Sequence, residues 1–152
     1  MTQRAWKQVR ETSGDALIEA ALVTPLLVLL TLAIVDFASL SFTYLSLENG
    51  VGQATRYGIT GNQMGEQSRV GSIEAAMRQA TPTLTISDDA FTFSHLPPGG
   101  GWVGGPGGPG DVEKVAVDYT WTALTPVLRP FFTNGQVHLR VESAMKNEPR
   151  FN

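Results

Sequence analysis

The chain has 152 residues and no cysteine, with 11 basic against 14 acidic side chains for a formal charge of −3. Disulfides and thiolate metal sites are therefore excluded, and an acidic chain without a basic patch does not suit nucleic acid. The length allows one modest domain beside an anchor, and the core of that domain must be small.

The charge is unevenly placed. Residues 1–14 carry Arg4, Lys7 and Arg10 against Glu11, a surplus of +2, while the rest of the chain carries −5. Beyond this basic leader, the twenty residues 16–35 hold no charge except Glu19. At about 1.5 Å per residue such a run covers a ~30 Å hydrocarbon core. Pro25 falls inside it; a soluble helix loses ~3 kcal/mol to an interior proline, but membrane helices re-satisfy the freed carbonyl. Basic residues before the run and Asp36 after it place the N-terminus in the cytoplasm and the remaining chain outside. A secretory signal peptide or a plain signal anchor fits the same outline, but neither accounts for Gly14 and Glu19. A carboxylate at the centre of a spanning helix costs roughly 2.5–3.5 kcal/mol on insertion scales, so Glu19 calls for a partner.

From Phe37 the pattern turns amphipathic. Phe37, Leu40, Tyr44, Leu47, Val51, Ala54 and Gly58 recur at three- and four-residue steps, one helical stripe. The helix is expected to reach about Tyr57, weakened by Gly50 and Gly52, and to stop at Thr60-Gly61-Asn62. Residues 37–47 are expected to face neighbouring helices and the later part of the stripe its own domain. A second helix is predicted over 66–80, with Val70, Ile73, Ala76 and Met77 on one face and Pro82 ending it. Strands are predicted over 84–93, split at Ser87-Asp88-Asp89, then over 112–122 and 137–143. In the middle strand Val115, Val117, Tyr119 and Trp121 alternate with Lys114, Asp118 and Thr120. Asn134-Gly135 marks the turn into the last strand. The class is α+β: a long N-terminal membrane-spanning helix, a short helix and a small antiparallel sheet. The division is a leader over 1–14, a helix over 15–60 with 16–35 in the membrane, and an extracytoplasmic domain over 61–152. Residues 99–110, nearly all glycine and proline around Trp102 and Val103, read as a mobile surface loop between two strands.

No catalytic constellation is present in the sequence. His95 and His138 are the only histidines, and His138 belongs to the outward face of the last strand with Arg140 and Glu142. Asp88-Asp89 lacks calcium-loop spacing and reads as a turn. The glycine run lacks the lysine and hydroxyl residue of a phosphate loop. No cofactor, no metal and no enzymatic activity are expected.

Gly14, Asp15, Glu19, Ala21-Leu22-Val23, Pro25-Leu26-Leu27, Asp36 and, after the small-residue stretch from Asn49, Arg56-Tyr57 form one pattern. It resembles the TadE-like pseudopilins of the tight-adherence (Flp) pilus machinery, within the wider type IV pilin-like family. In that family a short basic leader ends in glycine, a glutamate lies five residues beyond it, and a proline follows. Residue 20 departs from the family in being alanine, where an aromatic commonly follows the glutamate. The resemblance implies cleavage after Gly14 by a prepilin peptidase, a new amino terminus at Asp15, and Glu19 pairing with that amine in the same or a neighbouring subunit. It implies a non-enzymatic minor pseudopilin of the cytoplasmic (inner) membrane, with other pilin subunits, pilus assembly proteins and membrane lipid as partners. The rival class is an uncleaved, membrane-anchored module that binds a ligand or envelope protein.

Overall fold

A computed structural model describes residues 3–150, with side chains from residue 14 onward, so the basic side chains Arg4, Lys7 and Arg10 lie outside the described ones. The first helix, α1 (Gln3–Gly58), is one continuous element of 56 residues, roughly 84 Å long at the standard rise. It passes through Gly14 and Pro25 without a break. Residues 14–31 are all exposed, and the most apolar 18-residue window, of mean hydropathy 2.4, has none of its residues buried. An apolar cylinder with no side packed on protein suits a lipid surround. α1 is thus a candidate single membrane span.

The outer half of α1 packs on an antiparallel sheet. Its strands are β1 (Phe91–Leu96), β2 (Val103–Gly104), β3 (Val112–Thr122) and β4 (Gln136–Lys146), in the order β2-β1-β3-β4. β3 and β4 pair along their whole length, from Val112 opposite Lys146 to Thr122 opposite Gln136. A second helix, α2 (Arg69–Ala80), packs on the end of α1. Leu47, Val51 and Ala54 of α1, Ile73 and Met77 of α2, Ile86, and Val115, Val117 and Val141 of the sheet form the core. The α+β class expected from the sequence holds.

Alternation in β3 and β4 is followed closely because α1 covers one face of the sheet. Three details differ. α2 begins at Arg69 rather than residue 66, because the Ser68 side chain caps it by accepting the Gly71 amide at 3.1 Å. Residues 84–87 form no strand: Ile86 and Leu84 still fill the core, but the Ile86 carbonyl accepts from Arg78 Nε at 3.2 Å instead of a ladder partner. Asp88–Ala90 is a single 3-10 turn, with Asp88 paired to Arg78.

The glycine-rich stretch is the third. It joins β1 and β3 as expected, but it is pinned rather than loose. It contributes β2, whose Val103 stands opposite His95, and Gly105 donates its amide to the Phe93 carbonyl at 2.9 Å. The Gly107 carbonyl accepts from Arg69 and the Gly108 carbonyl from Asn147 Nδ2 at 2.8 Å, while Gly110 N–H reaches the Glu148 carbonyl at 3.0 Å. A side chain at Gly107 would stand 2.8 Å from His95 Cβ, so glycine here serves close approach. Trp102 remains 51% exposed, with Lys114 Nζ 4.4 Å above its ring.

Candidate functional site

The residues singled out for assembly lie together on the exposed half of α1. Gly14 and Asp15 occupy the turn before Glu19, about 6 Å along the axis, and Pro25 follows roughly 9 Å further on. All four are exposed, and among the described residues neither the Asp15 nor the Glu19 side chain makes a hydrogen bond or ion pair. The Asp15 nitrogen is an ordinary helical amide here, since α1 extends upstream to Gln3. Only cleavage after Gly14 converts it into a cation one turn from Glu19.

The four glycines of α1 fall into two pairs. Gly50 and Gly58 face α2: an added Cβ would meet Thr81 Cγ2 at 2.5 Å and Ile73 Cδ1 at 3.0 Å respectively. These two are required by helix packing. At Gly14 and Gly52 an added Cβ meets nothing within 4 Å. Glycine costs a helix interior about 1 kcal/mol relative to alanine, and nothing within the fold asks for it at either place.

Where the apolar run ends, Asp36 clasps the outer domain. It is 2% exposed and accepts from the backbone amide of Leu124 at 2.7 Å, that of Thr125 at 3.2 Å, and the Thr125 hydroxyl. Burial alone raises its carboxyl, but the Thr125 hydroxyl, the two amides and the Arg129 charge outweigh it and hold the group below the ordinary value of 3.8. One turn on, Trp121 Nε1 donates to Ser39 Oγ at 3.3 Å. The clasp joins α1 to the β3–β4 connection, residues 123–135, which turns back through Asn134 (φ 55°) and Gly135 (φ 70°).

Asp36 corrects the stripe drawn from apolar spacing. The buried face of α1 begins with Asp36 and Thr43, while Phe37 and Tyr44, one residue later in each case, are exposed. Residues 37–47 therefore already pack on their own domain along one face, and Phe37, Phe42 and Leu45 are left outward on the other. An apolar-only pattern misses a carboxylate that is buried because a loop supplies its donors.

At the far end of the domain a second buried carboxylate ties three elements together. Glu113 of β3 is fully buried and paired with Arg69, whose guanidinium also donates to the Gly58 carbonyl at 2.9 Å and to that of Gly107. Burial pushes the Glu113 carboxyl up, against the lowering by Arg69, Asn147 and His95. His95 Nδ1 lies 3.0 Å from the Gly105 carbonyl, and exposed His138 pairs with Thr120 at 3.1 Å. Among the described residues, no cluster of three or more potential metal ligands occurs.

A family model described as TadE-like protein matches residues 14–56. The match starts at Gly14, takes in Glu19, Pro25, Asp36, Gly50 and Gly52, and ends before α2 and the sheet. Over this segment the chain is similar to TadE-like proteins. No curated protein and no solved structure gives a significant match to the chain.

Proposed function

We propose that the chain is a minor pseudopilin, a non-enzymatic assembly subunit that initiates, caps or supports a tight-adherence (Flp) pilus from the cytoplasmic membrane. The observation that carries this reading is Glu19, an exposed carboxylate in the first turn of the apolar run of α1, with no side-chain partner among the described residues. A prepilin peptidase cutting after Gly14 supplies the missing cation as the amine of Asp15. Within one subunit, or between staggered subunits, that amine pairs with Glu19, and the desolvation cost of the carboxylate becomes a force for assembly. Removing one partner from a buried ion pair costs about 3–5 kcal/mol, enough to decide whether a helix enters the array. The open faces at Gly14 and Gly52 suit such a role: the first fits a peptidase cleft and the second lets a neighbouring helix approach. Pro25 shapes the span, and the outer domain, which lies beyond the TadE-like segment, carries partner specificity.

The mass of the protein extracted from membranes tests this. A mature chain beginning at Asp15 is expected, and a bulky residue in place of Gly14 should leave it full-length. An intact start at Met1 in the native membrane overturns the proposal. It favours instead the uncleaved, anchored binding module, a reading with which the unbroken course of α1 from Gln3 through Gly14 agrees.

A further inference from the structure

The β3–β4 connection is unusual for a surface loop. Loops mostly carry polar side chains to water, yet residues 123–135 contain no acidic residue and a single cation, Arg129, in a chain of net charge −3. Leu124 is 59% exposed, Val127 41% and Phe131 75%, and Pro126 and Pro130 stiffen the segment between them. Contiguous exposed apolar surface of this kind marks a site of interaction. Its position indicates the occupant. The Asp36 carboxylate holds the loop by the Leu124 and Thr125 amides, and Asp36 is the residue at which the twenty-residue run of 16–35 ends. The loop thus stands at the level where the hydrocarbon gives way to headgroups. Leu32 and Ala33, one turn inside the run, are already half-buried while residues 14–31 are exposed, so the protein's own packing begins below Asp36.

We propose that residues 124–131 form a second membrane contact, a foot that inserts Leu124, Val127 and Phe131 into the outer interface of the bilayer that α1 crosses. This rests on the reading of α1 as a membrane span. The Leu124 and Thr125 backbone amides that would otherwise face the acyl region are satisfied by Asp36, which removes part of the cost of placing a loop there. The exposed Arg129 guanidinium, whose Nε is held by the Ala123 carbonyl at 3.3 Å, faces lipid phosphates. The foot fixes the tilt and rotation of α1 and its packed domain relative to the bilayer. A single helix passing through lipid cannot do so by itself.

The absence of native cysteine makes site-specific labelling clean. Leu124→Cys, Phe131→Cys, Leu26→Cys and Asn62→Cys variants of the full chain would each carry an NBD fluorophore. They are reconstituted in vesicles of phosphatidylethanolamine and phosphatidylglycerol, with and without nitroxide-bearing lipid. Asn62 lies beyond the outer end of α1, roughly 33 Å from Asp36, and serves as the aqueous reference. Both foot positions are exposed, so the substitutions leave the core intact. The expected result is a blue-shifted spectrum and loss of fluorescence to a shallow nitroxide at 124 and 131, unchanged on dilution with lipid, with none at 62. Quenching at 26 but not at 124 and 131 overturns the foot and leaves the anchor reading standing. Shielding at 131 that disappears on dilution with lipid identifies a second copy of the chain as the occupant and also overturns it. No quenching at 26 removes the anchor and the foot with it.

Discussion

Arg69→Met is expected to be among the most damaging single changes in the outer domain. Its side chain is 13% exposed and that of Glu113 is fully buried. Methionine preserves much of the packing volume but leaves Glu113 without its cation. Breaking a buried pair from one side costs about 3–5 kcal/mol, which for a domain of this size lowers Tm by roughly 12–40 °C. The loss should depend on pH. Burial already holds the Glu113 carboxyl above its ordinary 4.5, and removing Arg69 takes away the largest opposing influence, so the group rises further. A carboxyl with a raised folded value favours the folded state fully below the unfolded value, and that contribution is lost as pH climbs through the folded one. The penalty of Arg69→Met is therefore greatest at neutral pH and shrinks as pH falls toward 4.5. Glu113→Gln should cost less, since the Arg69 cation it leaves behind is 13% exposed and keeps the Gly58 and Gly107 carbonyls as acceptors. The double change Arg69→Met with Glu113→Leu should recover most of the loss, because apolar replacement of a buried pair is often neutral. Thermal unfolding of the full chain in mild detergent, followed by near-ultraviolet circular dichroism against pH, measures all of these. A single variant within about 1 kcal/mol of wild type, or a double variant no better than the single, refutes the argument.

The two kinds of glycine in α1 separate in the same assay. Gly50→Ala forces a Cβ to within 2.5 Å of Thr81 Cγ2 and should destabilise the domain by about 1–3 kcal/mol. Gly52→Ala meets nothing and should leave the domain unchanged or up to about 1 kcal/mol more stable, so equal effects would contradict the packing account. Asp36→Ala should release the β3–β4 connection, seen as faster amide hydrogen exchange at Leu124 and Thr125 with the core strands still protected. Because the Asp36 carboxyl is held below 3.8, its contribution is present above that value and lost as pH falls through the lower folded one. Wild-type exchange at these two amides should accelerate in that acid range, and protection that persists in the alanine variant would place the clasp elsewhere.

How much of this was legible depended on whether a residue's role was local. The β3 and β4 alternation showed in the sequence because a single buried face imposes period two, and α2 was marked by Ile73, Met77 and Pro82, although its Ser68 cap was missed. The helix to Gly58 was legible although Gly50 and Gly52 looked like weaknesses; Gly50, like Gly58, is a close contact with α2 that no local pattern reports. Residues 84–87 carried strand-like side chains, but Arg78 took the Ile86 carbonyl and no neighbouring strand came within reach. The glycine stretch was misread because composition suggests freedom, whereas Arg69 and Asn147, about forty positions away on either side, use its carbonyls as acceptors.

The buried carboxylates point to a rule for reading such chains. Glu113 shares its strand parity with Val115 and Val117, so the alternation already placed a charge on the core face. Asp36 lies seven residues before Thr43 and eleven before Leu47, which puts it on the buried stripe of α1. In both cases the pattern was present but was drawn through apolar residues only, and a carboxylate on a core-facing position requires donors from elsewhere in the fold. Arg69 is the donor in one case and the amides of the β3–β4 connection in the other. Glu19 has the same standing one level up. It is a carboxylate on an apolar face, with no donor among the described residues. Where Asp36 and Glu113 find their partners within the domain, Glu19 has none among the described residues, which is the ground for proposing one at a terminus created by processing or in another subunit.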